Sequence, residues 1–315
     1  MLATTNLHTV TGALTPKAPF DFARAHAFLR GFSPTAGEQT FDSGAVTKAV
    51  TINGRAVAFE VSSAGTIEEP RLAYTLSSER PLSAAEQAAV TDRISFFLSL
   101  DDDLRPFYAL GRADPSFAPV IERFYGLHHP KFLTPFEIAC WAVLAQRVPM
   151  RLAHRVKLAL VERWGTSITL PDGETYRAFP EPAQLAAVAL DDLLAVVRNE
   201  RKVDYLQAVI EFFEEVDESF LRSGPYDEVA ARLRGVRGIG EWSSHFILVR
   251  GLGRMERVST GDQELLKAAS TLYNQGQPLD SAAISKLANY YGSWQGYWSY
   301  YTRIAPMEHF QEMGL

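Results

Sequence analysis

The stretch Leu233-Arg234-Gly235-Val236-Arg237-Gly238-Ile239-Gly240-Glu241-Trp242-Ser243-Ser244 decides how this chain is read. A helical run ends, glycines punctuate a short turn, and a second helix opens at Glu241. Gly238 and Gly240 are free to adopt positive φ and carry no Cβ toward an approaching ligand. The amides of Ile239, Gly240 and Glu241 would then point outward at a helix N-terminus, where an anion such as a nucleic-acid phosphate binds. The plain alternative is a C-cap glycine and a tight turn between two packed helices.

Working outward, two basic stretches flank that turn. Arg232, Arg234, Arg237, Arg250 and Arg254 stand against one acid, Glu241, and Arg147, Arg151, Arg155, Lys157 and Arg163 stand against Glu162. In a chain of net charge -6, such clusters suggest a localised phosphate-binding face. Solvated helix faces are the alternative. Downstream, Val258-Ser259-Thr260-Gly261-Asp262-Gln263 sets an aspartate at the opening of a helix. Alone, Asp262 reads as an N-cap.

The spacing of apolar residues gives the organisation. Residues 1–17, rich in Thr and small residues, read as a loose tail. Phe20 to Phe32 has helical spacing. Val46 to Ile52 and Ala56 to Val61 flank Asn53-Gly54, which predicts a type I′ hairpin, and Leu72 to Leu76 predicts a further strand. Ser83-Ala84-Ala85-Glu86 and Thr134-Pro135-Phe136-Glu137 are capping boxes that open helices. From Leu104 onward no strand pair is expected, only a brief extended piece at Thr166 to Leu170. Helices are predicted from Thr134 to Trp164 with a break at Pro149. Others are predicted over Pro182–Val197, Lys202–Val216, Tyr226–Arg234, Glu241–Leu252, Gln263–Tyr273, Ser281–Tyr291 and Trp298–Met307. The fold class is mainly α with an N-terminal α+β domain built on an antiparallel sheet. The expected domains are 1–106 (α+β), 131–254 (α-helical, ending in the glycine-rich turn and its helix), and 107–130 with 255–315 (a second α-helical domain carrying Asp262).

The 315 residues, 47% hydrophobic and 22% charged, suit a globular protein and exclude disordered, collagen and coiled-coil classes. No apolar run reaches the ~18–20 residues of a membrane span. Met1 to Lys17 lacks a basic and apolar leader pattern, so a cytoplasmic location is expected. The single cysteine, Cys140, cannot make an internal disulfide, a zinc site or a four-cysteine iron–sulfur site. Asp101-Asp102-Asp103 and Asp191-Asp192 read as solvated segments, His128-His129 as a loop pair, and Cys140 as core.

Hairpin, downstream Asp and the tryptophan of Gly292-Ser293-Trp294 together resemble the helix–hairpin–helix–Gly/Pro–Asp superfamily of DNA glycosylases. Within it the chain is similar to bacterial 3-methyladenine DNA glycosylase II. The blocks Phe136 to Gln146 and Phe179-Pro180-Glu181-Pro182 look like that family too, and the resemblance spans roughly Phe20 to Ile304. It implies a helix–hairpin–helix glycosylase architecture. Asp262 falls where the family has its catalytic aspartate. Gly238, Ile239 and Gly240 fall on the hairpin whose amides hold a DNA phosphate, with a monovalent cation as an option and no other cofactor required. Trp242, Phe246, Trp294 and Phe28 fall on the aromatic base pocket, Phe246 where better-known members have tyrosine. Gln146 and Arg147 fall on the loop that fills the hole left by a flipped base, and Arg237 falls in the hairpin. The chain departs from the family pattern in three places: Arg237 replaces a common Pro, Thr260-Gly261 replaces the Pro and acid before the aspartate, and Arg147 replaces an apolar wedge. No metal site is implied. The implied partner is double-stranded DNA with alkylated bases, bound by a monomer without membrane contact.

These residue types suit the implied chemistry. A base inside a duplex must rotate into a pocket before it can be cut out. Purines alkylated at a ring nitrogen are cationic, and indole faces attract cations by about 0.5–2 kcal/mol. A carboxylate can stabilise an oxocarbenium-like sugar and position water. Relatives that also cut the strand hold a lysine where this chain has Trp242, and no lysine lies between Lys202 and Lys267, so a Schiff-base lyase is disfavoured. A non-catalytic helix–hairpin–helix DNA-binding or damage-sensing protein remains the alternative. It would need the hairpin but not Asp262 and an aromatic pocket.

Overall fold

The protein is described here from a computed structural model covering residues 7–306. Strand β1 (His8–Leu14) leads to helix α1 (Phe22–Gly31). There follow β2 (Gln39–Asp42), β3 (Ala45–Ile52), β4 (Arg55–Ser63) and β5 (Leu72–Ser78), and then α2 (Ala84–Leu98). The strands form one antiparallel sheet in the order β1-β5-β4-β3-β2. Asn53 and Gly54 both take positive φ and set Ile52 opposite Arg55, as a type I′ turn requires. Asp21 caps α1 through its Oδ1, and Ser83 with Glu86 closes a capping box on α2. One sheet face buries Val57, Phe59, Val61 and Leu76 against Phe22 and Leu29 of α1 and Ile94 and Phe97 of α2.

The remaining helices build two further cores. Helices α3 (Arg105–Ala113) and α4 (Ala118–Arg123) come first, followed by α5 (Pro135–Leu144) and α6 (Met150–Trp164). Then come α7 (Pro182–Ala186), α8 (Leu190–Val197), α9 (Glu200–Glu215), α10 (Glu218–Ser223), α11 (Tyr226–Gly235) and α12 (Glu241–Phe246). The chain ends its described part with α13 (Gln263–Tyr273), α14 (Ser281–Tyr290) and α15 (Gln295–Ile304). One core wraps the fully buried α5 with residues from α6 to α12. The other joins α3 and α4 to α13–α15, and takes Ala27 and Phe28 from α1. Helix α1 therefore serves two cores and brings the sheet domain up to the C-terminal helices. Buried Lys157 of α6 ties the sheet domain to α5 as well, with its Nζ 2.5 Å from carboxylate oxygens of Glu38 and Glu137. Among the described residues no helix is long and apolar enough to cross a membrane.

Several expectations need correction. The supposed loose tail contains β1, paired along its whole length with β5 from His8↔Ser78 to Leu14↔Leu72; residues 1–6 lie outside the described part. Its Thr-rich sequence hid a strand because only one side is covered. The C-terminal two thirds are not wholly helical. β6 (Thr166–Thr169) and β7 (Thr175–Ala178) form a hairpin that covers the second face of the large sheet, where Ala49, Ala56 and Ala58 meet Ile168 and Tyr176. The Asp172-Gly173 dipeptide at its tip, with Gly173 at φ +91°, was the available signal. Pro182–Val197 is two helices, broken between Ala186 and Leu190. The last helix starts earlier than expected, at Gln295, and Met307 falls outside the described residues.

Candidate active site

The hairpin is set by two different glycines. Gly238 takes φ +94°, and a Cβ there would come 2.3 Å from the Tyr205 ring, so both backbone and space demand glycine. Gly240 does not share this conformation: its φ is -84°, and a Cβ would meet nothing within 4 Å. Of the two glycines free to adopt positive φ, only Gly238 does so. The expectation of three outward amides is corrected. The Ile239 amide donates to the Val236 carbonyl at 2.9 Å and its side chain is buried, which leaves Gly240 and Glu241 as the candidate anion donors. Gln146 Nε2 donates to the Gly238 carbonyl at 2.8 Å, fastening the 145–149 loop to the hairpin. Arg147 stands exposed on that loop at φ +53°. Arg237 is exposed and ion-paired with Asp204 at 3.1 Å.

The two basic stretches do not form one face. Lys157 is buried among carboxylates, Arg163 pairs with Asp192, Arg254 is buried against Glu256, and Arg250 turns inward. Charge counts along a helix cannot tell these fates apart, because successive residues of a helix point in all directions around its axis.

A cavity of about 220 Å³ lies where helix α1 of the sheet domain meets residues of both helical cores. Phe28 and Phe32 line it from α1 and its C-cap. Trp242, His245 and Phe246 come from α12, Asp262 from the cap of α13, and Ser299, Tyr300 and Arg303 from α15. Helix α12 runs into a π-turn at Ile247–Gly251, a wider turn often found near functional sites, and this turn brings Val249 and Arg250 to the wall. Trp242 is 57% exposed and stacks on Phe246, ring centres 5.2 Å apart and planes 7° from parallel.

Asp262 combines both readings made of it. It is the N-cap of α13, with Oδ1 accepting from the Leu265 amide at 3.0 Å, and it also lines the cavity. Its Oδ2 accepts from Arg303 Nη1 at 3.0 Å. Arg250 donates from Nη1 to His129 Nε2 at 2.7 Å, and its guanidinium lies 4.9 Å and 4.5 Å from the centres of the Phe28 and Phe32 rings. Burial pulls Arg250 down to about 10, still charged at neutral pH. Since arginine only donates, His129 is a neutral ring with its proton on Nδ1. Burial, and then the charge of Arg250, hold His129 well below the usual histidine range. His245 is lowered by burial, against an opposing pull from Asp262.

The structure thus gathers Phe28, Trp242, Phe246 and Asp262 around one cavity, and the hairpin residues 238–240 directly precede α12, which carries Trp242 and Phe246. It does not bring Trp294 there. That indole lies in a short 3₁₀ turn before α15 and packs against Phe107 and Tyr297, with ring centres 6.2 Å and 5.9 Å away. Sequence reasoning missed Phe32, His129, Arg250, Tyr300 and Arg303. Gly296, Ser299, Tyr300 and Arg303 recur at helical spacing, so one stripe of α15 was legible as a face, though not as a pocket wall. The expected loop pair His128-His129 is indeed in irregular chain, but both rings are buried.

No family model matches the chain. A DNA-3-methyladenine glycosylase of Bacillus subtilis is 27% identical over 228 residues, covering 72% of this chain and 75% of that protein. A probable bifunctional transcriptional activator/DNA repair enzyme AlkA of Mycobacterium tuberculosis is 27% identical over 298 residues, covering 94% of this chain but 57% of its own length. Among solved structures, a 3-methyladenine DNA-glycosylase from Archaeoglobus fulgidus superposes with a TM-score of 0.75 at 20% identity, covering 93% of this chain and 97% of the other. The chain has the fold of the helix–hairpin–helix DNA glycosylases, and in sequence it resembles their 3-methyladenine members.

Proposed function

We propose that this protein is a DNA glycosylase of base excision repair. It binds duplex DNA, rotates an alkylated base of the 3-methyladenine or 7-methylguanine type into the cavity, and hydrolyses the N-glycosidic bond without cutting the strand. The observation that carries this reading is the Asp262 carboxylate in the wall of a cavity lined by Phe28, Trp242 and Phe246. The repair glycosylases among the sequence relatives support it.

The exposed face of Trp242, backed by Phe246, offers a platform on which a flipped base can stack, worth about 1–3 kcal/mol per base. As the bond breaks, its electron pair leaves with the base and positive charge develops on the sugar. Asp262 then acts as a fixed anion beside that charge and orients the water that adds to C1′, the water's proton passing to the carboxylate and on to solvent. Two hydrogen bonds hold both of its oxygens, so little reorganisation is needed when the charge appears. Gly240 and Glu241 amides, with exposed Arg147 and Arg237, are the proposed contacts to the DNA backbone and to the gap left by the base. The lyase alternative needs an amine nucleophile, and no lysine is among the residues lining the cavity.

The test is release of free bases from methylated duplex DNA, separated by identity. Binding of duplex DNA without any base release would support the non-catalytic alternative instead.

A further inference from the structure

The cavity holds a donor that the reaction above does not use. Arg250 lines the wall, and its Nη1 is fixed on His129 while the Phe28 and Phe32 rings hold its plane. Its Nη2 is buried and meets no acceptor. Tyr300 also lines the cavity, its ring centre 5.9 Å from the Arg250 guanidinium, and its hydroxyl is buried and without a partner. No carboxylate pairs with Arg250 among the described residues. Asp262, the one acid in the cavity wall, is bound to Arg303. A buried donor left unpaired is unfavourable, more so when charged, so an acceptor entering the cavity is favoured.

We propose that Arg250 reads the flipped base by donating a hydrogen bond to a carbonyl oxygen, so that the pocket favours oxo-purines over amino-purines. This rests on the base-excision reading and narrows its substrate class. A guanine-type base presents an oxygen at position 6, which accepts from Nη2. An adenine-type base presents an amino group there, and its hydrogens would face the hydrogens of a guanidinium that cannot reverse its role. Stacking on Trp242 is indifferent to this choice, so the discrimination resides at the far wall. A site built to pair one polar group rejects the analogue lacking it more strongly than an apolar wall can.

The experiment uses the full chain and one probe, duplex DNA treated with dimethyl sulfate, which carries 7-methylguanine and 3-methyladenine in the same molecules. Rates of release of the two bases are compared for the parent, Arg250→Met and Arg250→Gln. Arg250→Met is expected to slow release of 7-methylguanine on the order of tenfold more than release of 3-methyladenine. A folded Arg250→Met protein with an unchanged ratio of the two rates overturns the proposal. Should Arg250→Met fail to fold, Arg250→Gln keeps a polar side chain whose amide can donate or accept, and is expected to shift the ratio the same way, by about threefold; an unchanged ratio again overturns it. A parent protein that releases neither base overturns the base-excision reading itself, a result distinct from loss of discrimination.

Discussion

Arg303 Nη1 lies 3.0 Å from Asp262 Oδ2, joining the third turn of α15 to the first residue before α13 in the wall of the cavity. The other oxygen, Oδ1, is held by the Leu265 amide. An aspartate that merely capped a helix would need only the second of these contacts. With both, the carboxylate has one orientation, and it borders the cavity. The Arg303 and Asp262 side chains are 43% and 19% exposed, so the pair adds little to stability and its value lies in placement.

Asp262→Asn is expected to reduce base release by at least about a hundredfold while leaving DNA affinity within a few-fold, because the charge goes and the shape stays. Asparagine caps helices as well as aspartate does, so the stability change should stay within about 1 kcal/mol. Single-turnover release and a binding titration on the same preparation check this. Turnover within a few-fold of the parent would leave Asp262 as a cap only.

The two hairpin glycines should separate cleanly. Gly238→Ala is expected to destabilise the fold by about 1–3 kcal/mol, through its positive φ and the Tyr205 ring, as read by denaturant unfolding. Gly240→Asp has open space and should fold normally. It should nevertheless weaken binding to any duplex, with or without a lesion, by adding negative charge beside a phosphate. Unchanged affinity and salt dependence in Gly240→Asp would make this turn purely structural.

The protein should leave an abasic site with an intact backbone, and borohydride should trap no protein–DNA adduct. The physical ground is the absence of lysine from the cavity wall, where Trp242 occupies the start of α12. A trapped complex at stoichiometric yield would restore the bifunctional reading.

Stability should fall as pH drops below about 6.5. Burial, with Arg250, Lys131 and Arg303 nearby, holds folded His129 well below its usual value, so the unfolded chain binds a proton that the folded one refuses. This contribution is fully present above the unfolded pKa and is lost as pH falls toward the folded one. His129→Gln keeps an acceptor for Arg250 and removes the titration. Its unfolding free energy should lose about one proton's worth of slope between about pH 7 and about pH 5. An identical slope in parent and variant would show that His129 does not titrate in this way.

Much of the local structure was written in short stretches of chain. Asn53-Gly54 fixed a hairpin register, and Ser83-Ala84-Ala85-Glu86 and Thr134-Pro135-Phe136-Glu137 opened helices where expected, whereas only the structure showed that Gly238 and not Gly240 needs glycine. Phe28 was legible as a helix-face aromatic, and Asp262 as a helix opener. Such signals act over a few residues, through cap hydrogen bonds, turn dihedrals and apolar periodicity, and so they survive in the sequence. The strands β1, β2 and β7 were missed for the complementary reason: a strand obtains its hydrogen bonds from a partner strand, and little in His8–Leu14 names Leu72–Ser78 as that partner.

Which arginine faces solvent and which faces the cavity was settled only by the tertiary structure. Arg237 and Arg250 look alike in sequence, yet one pairs with Asp204 at the surface and the other with His129, 121 residues away, inside the cavity. Trp242 and Trp294 also look alike, and only Trp242 lines the cavity, while Trp294 packs on Phe107. By itself the sequence determined the hairpin, the caps and the aspartate that opens α13. The meeting of α1, the π-turn and α15 decided what surrounds that aspartate, because the burial of a long side chain depends on everything packed around it and not on its neighbours in the chain.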